Sequence, residues 1–173
     1  MFACKAVNLD FFNTAPIRVT VEAKVARPPS EVFAALAHDP ANWGDFFPGF
    51  DKTGRFNTPG PHGVGSRRSV RFTVIKADET ILAWDEGARW AFRVDSVLAP
   101  VFHAFAEDYR VEPDGTDATR LRWTMACEPR LAFKLARPFL RPVLMLILAR
   151  AGHNLERGRW YSTSINNSER IEG

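Results

Sequence analysis

The sequence predicts an α+β fold. A curved antiparallel sheet of about seven strands wraps around one long C-terminal helix, with two short helices after the first strand. Three observations predict it. Apolar and polar residues alternate strictly from Ile17 to Val25, the period of a strand with one buried face. Turn signals then recur roughly every ten residues between Gly60 and Gly115, the spacing of an antiparallel meander. Near the C-terminus, Leu140, Val143, Leu144, Ile147, Leu148, Ala151 and Leu155 recur on one helical stripe. A sheet with one apolar face must cover it, and this helix is the only large element able to do so.

Each element has a local reason. Residues 1–15 read as an N-terminal arm, 16–163 as a single domain and 164–173 as a disordered tail. Ile171-Glu172-Gly173 resembles the start of a protease site and equally a native ending. After the first strand, Pro28-Pro29-Ser30-Glu31 opens a helix. Proline suits the first turn, where its missing N–H has no partner anyway, and Glu31 suits the positive helix end. Val32, Phe33, Leu36 and Ala37 follow at helical spacing. Asp39-Pro40 ends that helix, and Asn42 to Pro48 reads as a second, short one. Strands are expected over Ser69–Lys76, Asp78–Asp85, Arg89–Ser96, His103–Glu112 and Thr119–Cys127, the last two joined by Pro113-Asp114-Gly115. A helical zone runs from Leu131 to about Ser162, disturbed at its start by Pro138 and Pro142, with one long helix from about Phe139.

Composition narrows the function classes. The chain has 173 residues, 46% hydrophobic and 25% charged, which is globular and not disordered. No apolar run reaches the ~18 residues that span a bilayer. Two cysteines, Cys4 and Cys127, and no secretory signal predict a reduced, cytoplasmic protein. The 14 Phe and five Trp imply either a dense core or a greasy pocket. Charge is uneven: the segment from Arg130 to Trp160 carries +6 and the remainder −3. That basic helix is either a solvated face or a contact for an anionic partner such as a membrane surface.

Several motifs, taken in order, carry a family resemblance. Ala26-Arg27-Pro28-Pro29-Ser30-Glu31-Val32-Phe33 stands at the first helix and Asp39-Pro40-Ala41-Asn42-Trp43 after it. Gly63-Val64-Gly65-Ser66 precedes the third strand, and Thr119-Arg120-Leu121-Arg122-Trp123 begins the last. With the element order, these resemble the SRPBCC superfamily over about residues 16–160. That group includes START-type lipid carriers, Bet v 1-like proteins and polyketide cyclase/dehydrase-like proteins. The resemblance implies a helix-grip (Bet v 1-like) fold. Its apolar cavity would bind lipids, isoprenoids, steroids or polyketides, with no cofactor, and would open near Trp43, Phe46 and Phe47. It does not fix an activity.

Strand alternation says which side chains share a face. Val70, Phe72 and Val74 oppose Arg71 and Thr73. Trp90, Phe92 and Val94 oppose Arg89, Arg93 and Asp95, which belong in water. Leu121, Trp123 and Met125 oppose Arg120, Arg122 and Thr124. Leu144 and Leu148 come from the helix stripe. In the strand after Pro100, His103, Phe105, Glu107, Tyr109 and Val111 share one face. An inward Glu107 needs a partner, because a buried unpaired carboxylate costs several kcal/mol or takes up a proton. An inward Arg, a ligand hydroxyl or a place at the wet sheet rim would each satisfy it. The candidate ligand-binding set is therefore Val70, Phe72, Trp90, Phe92, Val94, His103, Phe105, Glu107, Tyr109, Trp123, Met125, Leu144 and Leu148. His103, Glu107 and Tyr109 are the candidates for catalysis.

No metal is expected. His103 and Glu107 stand four strand residues apart, ~13 Å at ~3.3 Å each, whereas ligands of one ion lie ~2–2.3 Å from it. No Gly-x-Ser-x-Gly elbow is present, and the glycines at 60, 63 and 65 precede a strand, so no helix N-terminus is there to hold phosphate. Three functions remain. The first is a carrier or sensor of a hydrophobic small molecule. The second is a polyketide cyclase or dehydratase, with His103 as base and Tyr109 as donor. The third is an interaction or toxin-like protein acting through the basic helix. Nucleic acid is the weakest partner, since no aromatics interleave the basic residues, and the oligomeric state is open.

Overall fold

The structure, a computed structural model, describes residues 1–130 and 137–157. The strands are β1 (Phe2–Ala3), β2 (Ile17–Val25), β3 (Arg55–Phe56), β4 (Arg67–Phe72), β5 (Ile75–Asp85), β6 (Arg89–Val97), β7 (Phe102–Pro113) and β8 (Thr119–Pro129). The helices are α1 (Phe11–Thr14), α2 (Pro29–Ala37), α3 (Trp43–Phe46) and α4 (Arg137–Glu156), with a 3-10 turn at Pro40–Asn42. The sheet is antiparallel in the order β2-β8-β7-β6-β5-β4-β3, and β1 adds to β6. The first long strand therefore pairs with the last, Ile17 opposite Cys127 and Val25 opposite Thr119.

α4 crosses this sheet and packs against β2 and α3. Its Leu140, Leu144, Leu148, Ala151 and Leu155 are buried. They step by three or four residues, so they form one stripe. Val143, expected on that stripe, sits outside it and is half exposed. Two features fix the helix. A Cβ on Gly152 would stand 3.4 Å from Val25 Cγ2, so glycine permits the close approach to β2. Arg27 Nη2 donates to the Glu156 carbonyl at 2.9 Å, satisfying one of the carbonyls that a helix end leaves open. The zone 131–136, residues 158–163 and the 164–173 tail lie outside the described residues.

α2 buries Val32, Phe33, Leu36 and Ala37, as its periodicity predicts. Asp39 then accepts the Ala41 N–H at 2.9 Å, turning the chain into α3. Trp43 Nε1–H donates to the Leu36 carbonyl at 2.9 Å, and its ring stacks on Phe47 at 5.0 Å. Trp43 and Phe46 are 1% exposed.

The meander departs from the expected one at the β4–β5 connection. The span Ser69–Lys76 is not a single strand: it breaks at Thr73-Val74, joining β4 to β5 as a tight hairpin. No glycine, proline or asparagine signals this turn. Thr73 adopts φ 52, a conformation that a β-branched residue takes only under strain. Its N–H donates to the Gly49 carbonyl at 2.6 Å, which helps hold it there. Val74 consequently points to water, 80% exposed, and is not inward. On the outer face, Arg89 meets Asp108 through two nitrogens at 2.9 and 3.1 Å, and Arg93 meets Asp95 at 2.8 Å. These cations are half buried under their ion pairs instead of standing free in water.

Candidate functional site

Between the concave sheet face and α4 lies a cavity of about 290 Å³. Val70 and Phe72 from β4, Phe92 and Val94 from β6, Phe105 from β7 and Trp123 and Met125 from β8 line it, with Leu144 from α4 as roof. Strand alternation and helix spacing point each of these inward. Trp90 and Leu148 do not line it. Both are 0% exposed and packed one layer behind, in the solid part of the core.

His103 does not line it either, which corrects the expectation from alternation. The β7–β8 register shifts between Phe102 and Ala104, so a bulge at His103 resets the period. Phe102 and Phe105 both face the cavity, and His103 is displaced. An acid–base pair of His103 with Tyr109 is thereby removed. The entrance also differs from the family expectation. Trp43 and Phe47 are lining residues but buried, and Phe46 is buried without reaching the cavity. The partly exposed lining residues are Phe50, Phe72, Ile75, Ala77, Val101, Phe102, Phe105 and Ile147. They mark a mouth at the β4–β5 turn, the β6–β7 connection and the middle of α4.

The inner end is polar. Glu79, Glu107 and Tyr109 are its polar lining residues. Arg68, 0% exposed, stands behind them and donates from Nε to Glu79 Oε2 at 2.6 Å. Its guanidinium lies over the rings of Trp90, Trp43 and Phe92 at 4.3, 4.6 and 4.9 Å, contacts that stabilise a desolvated cation. Tyr109 O–H donates to Glu107 Oε2 at 2.7 Å. Among the described residues, Arg68 Nη1 and Nη2, Trp90 Nε1 and Trp123 Nε1 are buried without a hydrogen-bond acceptor.

Burial decides the protonation states here. It pushes the Glu107 carboxyl from 4.5 to about 8, helped by the nearby Glu79 charge and opposed by the Tyr109 hydrogen bond and Arg68. Trp123 Nε1 lies close enough to Glu107 to oppose the shift, without the geometry of a full hydrogen bond. Glu107 is thus a neutral acid at pH 7. Burial also raises Glu79, but the Arg68 charge pulls it back, and we assign that pair as ionised. Tyr109 is held far above the usual phenol range by burial and by Glu107. Burial lifts the Cys127 thiol to about 12, which leaves it unreactive. Among the described residues no group of His, Cys, Asp and Glu is arranged to hold a metal ion.

Sequence reasoning missed Arg68 and Glu79, although both carry the signal that found the others. Arg68 shares the parity of Val70 and Phe72, and Glu79 that of Ile81. Starting the strand at Ser69 hid the first. No face was assigned to the strand that holds the second.

A curved sheet gripping one long helix over an apolar hollow is the helix-grip fold, and with the family match over residues 16–157 it places the chain in the SRPBCC superfamily. Residues 16–157 match the polyketide cyclase/dehydrase and lipid transport family, and the chain belongs to it. An uncharacterized protein of Mycobacterium tuberculosis is 38% identical over 163 residues, covering 91% of this chain and 93% of its own. Among solved structures, a START superfamily protein from Mycobacterium smegmatis superposes with TM-score 0.66 at 14% identity, covering 82% of this chain and 96% of that one. A Thermus thermophilus protein gives 0.64 at 17% identity over 86% and 99%. Norcoclaurine synthase from Thalictrum flavum, in complex with dopamine and hydroxybenzaldehyde, gives 0.59 at 14% over 90% and 95%. At these identities the likeness is one of fold.

Proposed function

We propose that the protein binds a hydrophobic small molecule in this cavity and acts as its carrier. The observation that supports the reading is the 290 Å³ hollow itself, walled by aromatic and aliphatic side chains with a few convergent polar groups at one end. Ligand sites have this composition, and the volume sits at the small end of their roughly 300–1,000 Å³ range. A compact ring system or a short chain fits better than a two-chain lipid. Native mass spectrometry of freshly purified protein tests it: a co-purified small molecule is expected. Absence of any adduct, together with no saturable binding of N-phenyl-1-naphthylamine by solvent-stripped protein, would sink the proposal.

Contact with an anionic membrane surface fits the same role. Beside the mouth, α4 exposes Phe139 just before the exposed Arg141, and Val143, Met145 and Leu146 between Arg141 and the exposed Arg150. Apolar side chains flanked by cations suit the interface of an anionic bilayer. No described helix is long and apolar enough to cross one. Vesicles containing phosphatidylglycerol should sediment the protein and pure phosphatidylcholine vesicles should not. Equal sedimentation, or a concentration-dependent dimer that buries the same face, counts against membrane contact. Turnover is a second reading, supported by Glu107, held as a neutral acid against Tyr109.

A further inference from the structure

The mouth of the cavity is bordered by apolar side chains that stand in water. Val74, at the tip of the β4–β5 hairpin, is 80% exposed, and Leu98, in the β6–β7 connection, is 51% exposed. The Leu98 N–H donates to the Lys76 carbonyl at 2.9 Å, so the two tips stand side by side. Each exposed residue is the chain neighbour of a lining one: Val74 of Ile75, Leu98 of Val97, and Leu146 on α4 of Ile147. The hairpin's composition is also costly to the fold. A two-residue loop between paired Phe72 and Ile75 favours Asn-Gly, and here it is Thr73-Val74, with Thr73 at φ 52. Arg71 stands directly opposite Lys76, a like-charge pair that destabilises a ladder. Arg71 reaches Asp51 only at 3.7 Å, and among the described residues no acid lies within ion-pair distance of Lys76.

We propose that the Val74 hairpin tip and Leu98 enter an anionic bilayer beside α4, so that the mouth opens against lipid. The inference rests on the membrane contact proposed for α4 and adds the orientation of the cavity on the membrane. The apolar tips sit among acyl chains, while Arg71 and Lys76 reach lipid phosphates along their apolar stems. Anionic headgroups relieve the repulsion between these two cations. A second copy of the chain is the poorer occupant, because it would bring the same cations to the shared face. At the opposite end of the sheet the β7–β8 turn carries Asp114 and Asp117 in place of apolar tips, which turns that end away from an anionic surface.

A nitrobenzoxadiazole label, which brightens in apolar surroundings, tests it. The label is attached at Val74→Cys and, as a control, at Thr116→Cys in the β7–β8 turn, both in a Cys4→Ser chain whose remaining Cys127 is buried. With phosphatidylcholine vesicles containing phosphatidylglycerol, emission at position 74 should rise at least twofold, shift to the blue and be quenched by doxyl-labelled lipid. Position 116 should not respond. Val74→Asp should weaken vesicle sedimentation at least fivefold, and Arg71→Gln with Lys76→Gln at least threefold, with the folded circular dichroism spectrum kept. The unlabelled variants carry the test if a labelled chain misfolds. Sedimentation with no response at position 74, or with equal responses at 74 and 116, overturns the orientation and leaves the α4 contact standing. No sedimentation overturns both. A Val74→Asp variant that sediments like the natural protein removes the hairpin from the contact. A response at position 74 that grows with protein concentration and needs no vesicles identifies a second copy as the occupant and overturns the bilayer.

Discussion

Glu107→Gln should uncouple folding stability from pH by a measurable amount. The amide is nearly isosteric with the neutral acid and still accepts the Tyr109 proton at Oε1. Burial lifts the Glu107 pKa from 4.5 to about 8. Between those values the folded chain keeps a proton that the unfolded chain has released. Stability of the natural protein therefore falls as pH rises: the contribution is complete below about pH 4 and gone above about pH 8. Each unit is worth about 1.4 kcal/mol, so from pH 5 to pH 8 the loss is on the order of 4 kcal/mol. Glutamine has no proton to lose. Urea unfolding of both proteins across this range, followed by circular dichroism, should show the variant gaining on the natural protein by that amount and the difference levelling off above pH 8. Other titrating groups are shared by both proteins and cancel to first order. A difference that stays flat from pH 5 to 8 would refute the neutral-acid assignment.

Other outcomes follow from the same geometry. Arg68→Met strips Glu79 of its buried cation and should cost about 3–5 kcal/mol in urea unfolding, with part recovered by adding Glu79→Gln. A loss below about 1 kcal/mol would show that the pair is not buried as described. Val94→Phe pushes a ring into the cavity and should weaken N-phenyl-1-naphthylamine binding at least tenfold while the folded circular dichroism spectrum persists. Unchanged affinity would place that probe elsewhere. Thr73→Gly relieves a φ of 52 and should stabilise by about 1 kcal/mol in urea unfolding. A destabilised glycine variant would mean that the hairpin's side-chain contacts outweigh its backbone strain.

How much of this was legible in the sequence depended on the period of each segment. Ile17–Val25 alternates without interruption, so its face was readable, and so were those of β6 and β8. β7 was readable only beyond its bulge: Phe105, Glu107 and Tyr109 keep the alternation, whereas His103 lies where two residues oppose one. Nothing in Val101-Phe102-His103-Ala104 signals that extra residue. The Thr73 turn was equally hidden, because it is imposed by the Gly49 carbonyl and by pairing of β4 with β5, not by its own residue types. Val143 was misplaced for a milder reason: it borders the stripe of Leu140, Leu144 and Leu148, and only packing shows where the stripe ends. Arg68 and Glu79 carry the same alternation, but the expected strand begins two residues late, at Ser69, and the strand that holds Glu79 has no face assigned from the sequence. The resemblance carried the fold and the presence of a hollow. It carried no polar residue, and its expected entrance at Trp43, Phe46 and Phe47 proved to be interior.

Stability alone does not call for the polar cluster. Replacing a buried ion pair by packed apolar side chains is often neutral or stabilising. The same roof and sheet would close over leucines with no desolvated charge to accommodate. Arg68 instead needs three aromatic rings and a carboxylate to be tolerated. Glu107 is tolerated by giving up its charge and accepting the Tyr109 hydrogen bond. These arrangements lie at the closed end of an apolar hollow, where a guest would meet them last, and they leave donors without acceptors. A cluster serving only the fold would satisfy itself, as the outer-face pairs Arg89–Asp108 and Arg93–Asp95 do. On the proposed ligand-binding reading, the aromatic wall supplies affinity and the Glu107 end supplies orientation.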